Sequence, residues 1–294
     1  LRVKLDGMDL IATCPNHMNP ALSYIDPTNV GNLTVYAGIT PVSVGGDSIG
    51  GAIVANTRAP AFAAPGQGNI TGGEVGAFYR SNNAARGANL SLVHATEAFS
   101  IAYDGAWSRA DNYTAGGAFK TTTATGRNGH TLPLDEVGST AYRTGNHTLG
   151  VAFRGDGHLF EARLGYQDMP YQLFPTQRMD LLGNEQQRVN LRYLGAYAWG
   201  SLEARAYHEK VDHFMDFGPD KRFWYGSLSG AGSPCSPIRF MGDPAGTCAS
   251  GMPMNSESST TGVTVKADIN LSERDVLRVG SELQRYRLDD WWPA

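Results

Sequence analysis

This chain lacks the features that most quickly place a sequence. No window holds eighteen consecutive apolar residues, which excludes a membrane-spanning helix, and the opening LRVKLDG has no signal-peptide pattern. Charge is sparse: 18% of 294 residues are charged, low for a soluble enzyme of this size, and the formal net charge is only -4. Lysine and arginine are scattered singly, without the basic run or stripe that gathers phosphates, so a nucleic-acid partner is set aside.

Catalytic signatures are missing too. GGDSIGG, Gly45 to Gly51, has the look of a phosphate loop, but no Lys-Ser/Thr pair and no helix-like stretch follow it. There is no G-x-S-x-G elbow, no H-E-x-x-H and no paired C-x-x-C. The adjacent carboxylates Asp289 and Asp290 have no acidic partner elsewhere. The chain is therefore not read as an enzyme.

What is present is a two-residue period. Phe99, Ile101, Tyr103, Gly105 and Trp107 alternate with Ser100, Ala102, Asp104 and Ala106, and similar runs recur at 160–167 and 188–197. Helices would need a period of 3.6, so these are strands. Nine runs are expected, near 74–82, 86–95, 97–109, 139–154, 158–168, 187–199, 201–217, 259–270 and 275–289. Several exceed the five or six residues of an ordinary strand. Short turns (HATE, RGDGH, AWGS, NLSERD) alternate with long stretches at 110–138, 169–186 and 218–258.

Long strands with one short-turn end and one long-loop end fit a transmembrane β-barrel, whose alternating faces keep hydropathy low. The mean hydropathy of -0.30 therefore decides nothing. A soluble β-sandwich or β-helix is the alternative, although shorter strands would be expected there. An odd run count and a last strand ending in DDWWPA mean that the wall is not expected to close within these residues. Residues 1–65, apolar and poor in aromatics, read as the end of one domain, and 66–294 as the start of a barrel.

Two short segments carry soft metal ligands. GMDLIATCPNHMNPALSYIDP holds Cys14, His17 and Met18 on a stretch too proline-punctuated for a helix, and VDHFMDF holds His213 and Met215. Thiolate, thioether and imidazole together favour Cu(I), and thioether sulfur argues against structural zinc. Counting by twos along 201–217 places His213 and Met215 on the face of Glu203, Arg205, Tyr207 and Glu209, which in a barrel is the lumen. Taken singly, a cysteine in an apolar segment is more often a small buried hydrophobe, and a His-x-Met on a strand is incidental.

SYIDPTNVGNLTVYAGITPVSVGGDSIGGAIVANT resembles the last part of the plug of a TonB-dependent outer-membrane receptor. MDLIATCPNHMNPALSYIDP resembles the copper-receptor branch of that family, the OprC/NosA type, with C-x-x-x-M in the plug and H-x-M in the barrel; PYQLFPTQRMDLLGN also has its look.

The resemblance implies an all-β fold: about nine strands of a large plugged antiparallel barrel, with the C-terminal part of the plug. It also implies an outer-membrane location, with lipid around the wall. Copper, preferably Cu(I), would be held by Cys14, Met18, His213 and Met215, with energy from a TonB-ExbB-ExbD complex acting on a plug segment ahead of Leu1. His17 is a further candidate ligand or a solvent-facing neighbour, and Met252, Met254 and Met241 are candidates for capture at a loop mouth. In an oxidising exterior, Cys235 and Cys248 are expected to form a disulfide, leaving Cys14 as the odd thiol. Two rivals remain: a receptor for a metal chelate or other solute with vestigial ligand pairs, and a surface interaction protein whose barrel only displays loops.

Overall fold

The structure, a computed structural model, describes residues 1–15, 18–45, 48–125, 129–221 and 252–293. His17, Met241, Cys235 and Cys248 lie outside the described residues, and with them the expected disulfide.

The chain builds a small sheet and a large one. Strands β1 (Arg2–Leu5), β2 (Met8–Asp9), β3 (Val30–Tyr36) and β4 (Ala52–Thr57) form a four-stranded sheet in the order β2-β1-β4-β3. Two 3-10 turns, Ala21–Tyr24 and Pro27–Asn29, punctuate the segment between β2 and β3; Asp26 caps the second by accepting from the Thr28 amide at 2.9 Å. Gly51 precedes β4 at a φ of 91°, and a Cβ there would sit 2.3 Å from the Tyr36 carbonyl oxygen. Gly51→Ala is expected to destabilise this sheet by about 1–3 kcal/mol, read as earlier exchange of the β3 and β4 amides.

The large sheet is antiparallel and contains β5 (Asn69–Arg80), β6 (Ala85–Thr96) and β7 (Phe99–Ala110). After a two-stranded ribbon of β8 (Tyr113–Thr114) and β9 (Glu136–Val137), it continues through β10 (Tyr142–Gly155), β11 (His158–Gln172) and β12 (Asp180–Tyr197). It ends with β13 (Gly200–Asp216), β14 (Met254–Asn270) and β15 (Val276–Trp291). Sequential neighbours pair throughout, with β5 and β15 at the two edges.

All nine expected runs are strands, and β11, β12, β14 and β15 extend further at the long-loop end. β11 reaches Gln172 and β12 begins at Asp180, so the irregular stretch expected over 169–186 shrinks to 173–179. β14 begins at Met254, so Met254 is a strand residue and not part of a loop. In this part of the wall the outer face carries Asp168, Glu185, Asp212 and Glu257, so the apolar alternation stops while the hydrogen-bond ladder continues.

The burial pattern is the reverse of a soluble sheet's. One face carries Leu149, Phe153, Phe160, Leu164, Leu191 and Val263, all exposed. The other carries Glu161, Gln167, Gln186, Asn190, Glu209 and Thr264, all buried. At the short-turn end the apolar face closes on an aromatic belt: Phe99 packs on Phe153 (5.0 Å between centroids), Phe160 on Tyr193 (4.8 Å) and Tyr197 on Trp199 (5.1 Å).

The polar face is buried because the first 60 residues pack against it. Lys4 Nζ lies 3.2 Å from Glu282 of β15, and Arg163 of β11 pairs with Asp6 at 3.5 Å. Asn190 Nδ2 donates to the Asp6 carbonyl at 3.1 Å, and Asn29 Nδ2 to Thr148 Oγ1 at 3.0 Å. Burial alone would raise the Asp9 carboxyl, but the hydrogen bond from Arg2 and the charges of Lys4 and Arg2 outweigh it and hold the group below the usual carboxylate range. An apolar patch of Val3, Leu5, Met8, Leu10 and Ala55 closes this contact against Tyr207 of β13.

Candidate metal centre

Alternation along β13 sends Tyr207, Glu209, Val211, His213 and Met215 to the inner face, and all five are buried. Met215 is the next-to-last residue of β13, where the wall rises past its apolar band. Its partners across the ladder are Leu181 of β12 and Met254 of β14.

Cys14 meets this point from the small-sheet segment. Its neighbour Thr13 is held to the wall by a 2.7 Å contact between its Oγ1 and Ser258 Oγ of β14, and the Thr13 amide donates to the Tyr24 hydroxyl at 3.3 Å. Burial pushes the Tyr24 phenol up to about 12, so it stays neutral and keeps its oxygen available to that amide. Thus anchored, Cys14 is fully buried with its Sγ 3.5 Å from Met215 Sδ. Two sulfurs bound tetrahedrally to one ion at ~2.3 Å each would stand about 3.8 Å apart, so the observed spacing is close to that of a shared ion.

The surroundings are rich in sulfur. Cys14, Met179, Met215, Phe217 and Met254 form one buried cluster, with Met18, Met252 and Phe174 packed against it. Among the described residues, no group of three or more His, Cys, Asp or Glu side chains has a metal-holding arrangement, so any metal here would rely on thioethers.

His213 adds nitrogen. Asn184 Nδ2 donates to Gln167 Oε1 at 3.4 Å, which turns Asn184 Oδ1 toward His213 Nδ1 at 2.9 Å. Gln167 is fixed in turn, its Nε2 donating to Asn146 Oδ1 (2.8 Å) and to the Ser23 carbonyl (3.0 Å). The histidine therefore carries its proton on Nδ1 and keeps the Nε2 lone pair, and Nε2 is buried with no hydrogen-bond partner among the described residues. An oriented imidazole with a bare nitrogen is what a metal ligand requires.

Asn184→Leu removes the group that sets this tautomer. It is expected to weaken the affinity for any metal ion held by His213 Nε2 by about 10- to 100-fold without removing a ligand, read by titration against a chromogenic chelator.

The structure thus brings Cys14, Met18, Met215, Met252 and Met254 together and places His213 on the same inner face as Met215. Sequence reasoning missed Met179, which lies in the connection before β12, and the polar residues Asn184 and Gln167. Above the cluster, Asp220 ties down the rim, accepting from the Ser139 amide and from Asn112 Nδ2, both at 2.8 Å, with His130 Nε2 at 2.7 Å. Burial would raise the Asp220 carboxyl, but these hydrogen bonds hold it below the usual range.

No protein-family model matches the chain, and no curated protein does. Solved structures do. The copper transporter OprC superposes with a TM-score of 0.72 at 18% identity, over 98% of this chain and 38% of that one. The chain shares its fold with part of that structure. The FrpB iron transporter from Neisseria meningitidis (F3-3 variant) follows with a TM-score of 0.61 at 16% identity, covering 98% and 41%. The siderophore receptor PirA from Acinetobacter baumannii gives 0.63 at 13%, covering 98% and 40%. The chain spans about two fifths of the length of these structures, which are transporters and receptors, and at such identities the likeness is one of fold.

Proposed function

We propose that the chain belongs to a TonB-dependent outer-membrane receptor that binds and imports copper, with residues 1–65 as the end of its plug and 66–294 as the start of its barrel. One observation carries the copper reading: a plug-side thiol, Cys14, lies 3.5 Å from a wall thioether, Met215, in a buried sulfur cluster. His213, whose Nε2 has no hydrogen-bond partner among the described residues, is two residues from Met215 on the same face. Sulfur donors with one imidazole suit Cu(I) better than Mg²⁺, Ca²⁺ or Zn²⁺. Cys14, Met18, His213 and Met215 form the proposed ligand set, with Met179, Met252 and Met254 supplying sulfur around it.

The exposed apolar face of the wall would meet outer-membrane lipid. Because the ligands are split between two bodies, a pull on the plug by the TonB-ExbB-ExbD complex would part Cys14 and Met18 from His213 and Met215 and release the ion. A variant with the plug cross-linked to the wall that still delivered copper inward would contradict this step.

The binding claim is tested on the full-length protein in detergent under reducing conditions. The wild type should retain about one Cu(I) per chain against a competing Cu(I) chelator, and Cys14→Ser/Met215→Ala should lose it to that chelator. Equal copper in both would leave the ligand pairs without a role and return the reading to a chelate receptor.

A further inference from the structure

The outer face of the wall carries a charge arrangement that copper binding does not explain. Strand register sets Tyr79 of β5 opposite Arg86 of β6, Arg86 opposite Arg109 of β7, Arg109 opposite Arg143 of β10, and Arg143 opposite Tyr171 of β11. Five adjacent strands thus present one row along the hydrogen-bond direction, Tyr-Arg-Arg-Arg-Tyr. The row belongs to the outer face, because Leu92, Ile101, Trp107 and Leu149 of the same strands, an even number of residues away, are all exposed.

Neighbouring strands lie ~4.8 Å apart, so the three guanidinium stems stand shoulder to shoulder, and like charges in directly opposed positions destabilise a sheet. Little in the protein offsets them. Arg109 pairs with Asp111 at 3.2 Å, an exposed contact at the strand end. Arg86 and Arg143 have no ion pair among the described residues, and the nearest acid on the adjoining strand, Asp168, lies opposite Gly145, one step below Arg143. Arg109 Nε is buried without a hydrogen-bond partner among the described residues.

Height on the wall identifies what could supply the missing anion. From the aromatic belt at Phe99 to Arg109 the chain of β7 rises by ten residues, about 33 Å of strand, or roughly 25 Å along the membrane normal at a tilt near 40°. That is the height of the apolar band of an outer-membrane barrel. The residues between, Ile101, Tyr103, Gly105 and Trp107, carry no charge. The arginine row therefore stands where hydrocarbon gives way to headgroups, on the long-loop side. Just below it, Ala77, Ala88 and Gly145 flank Trp107 in register, leaving a shallow floor beside one large ring.

We infer that the Arg86–Arg109–Arg143 row is a binding site for a phosphorylated lipid headgroup of the outer leaflet. Phosphate oxygens would accept forked hydrogen bonds from adjacent guanidiniums, which arginine offers and lysine does not, and the two flanking phenols would add donors at the interface. The inference rests on the membrane reading of the wall and is independent of the copper site.

The test uses the full-length protein, delipidated in detergent and titrated with lipid A, with the same lipid stripped of its phosphates, and with inorganic phosphate. Bound lipid is read by native mass spectrometry. Lipid A should bind the wild type, and Arg86→Gln/Arg109→Gln/Arg143→Gln should weaken it about a hundredfold, from the sum of three near-surface charges. The triple lysine variant should recover part of that loss, and the β-sheet circular dichroism and thermal unfolding in detergent should stay unchanged in both, showing that the barrel is intact. Equal affinity of the wild type and the glutamine variant for lipid A would overturn the site, as would equal binding of the dephosphorylated lipid. Saturation by inorganic phosphate alone would overturn the assignment to lipid. A wild-type protein that stays soluble and monodisperse after detergent is removed would instead overturn the membrane reading itself.

Discussion

Cys14→Ser should lower Cu(I) affinity about a hundredfold, and Met215→Ala should do much the same although the two residues lie on different bodies of the fold. Metal sites of four protein ligands bind with roughly 10–16 kcal/mol in all, so one ligand contributes about 3 kcal/mol, or about two decades. The two losses should not add: once Cys14 is gone, the remaining thioethers are left without their thiolate partner, and removing Met215 then costs little more. Non-additivity across a 3.5 Å contact marks one shared site. His213→Ala should fall in the same range, because its Nε2 has no hydrogen-bond partner among the described residues to lose. Competition titrations of the three single variants and the double variant supply the measurement. Fully additive losses would mean that plug and wall bind metal separately.

Leu164→Arg should destabilise the protein in lipid by about 2–4 kcal/mol, whereas Glu185→Arg on the same outer face should cost ~0–1. Leu164 is 51% exposed and pairs with Leu149 and Val189, midway between the aromatic belt and the arginine row. Glu185 lies above that row of apolar side chains, opposite Asp168 and Asp212. A charge at mid-band must leave water for hydrocarbon, while a charge at the rim keeps its hydration, so the contrast reports the depth of each position. Denaturant unfolding from phospholipid vesicles would measure it. Equal losses in the two variants would contradict the assignment of the outer face to lipid.

These residues show how far the sequence could be read and why it stopped. Leu149 and Leu164 alternate with inner-face residues, so the apolar band and its strands were legible from the two-residue period. The same counting carried His213 and Met215 to the inner face, since no bulge interrupts the β13 ladder between Glu209 and Met215 toward β14. Above the band the signal fails: with water outside and packed polar groups inside, both faces of β12 and β14 become polar, and the early residues of these strands look like loop. Met254 reads as a loop residue in sequence for that reason, although its register puts it directly opposite Met215.

Asn184 and Gln167 were invisible in a different way. Their role lies in a chain of hydrogen bonds that spans four strands and reaches Ser23, and such a chain has no spacing in sequence. Met179 belongs to the cluster only because the 173–179 connection is short enough to fold over the site. The C-x-x-x-M and H-x-M pairs were legible individually; their meeting depends on the pairing of Thr13 with Ser258, which only the fold provides.

The central claim is one soft site built jointly by plug and wall, and X-ray absorption at the copper edge of the Cu(I)-loaded full-length protein tests it most directly. The account predicts a mixed first shell, with sulfur at about 2.3 Å and one imidazole nitrogen at about 2.0 Å. The nitrogen should vanish in His213→Ala, and sulfur should be lost in both Cys14→Ser and Met215→Ala. A shell of nitrogen and oxygen alone, or one unchanged by these three substitutions, would contradict it.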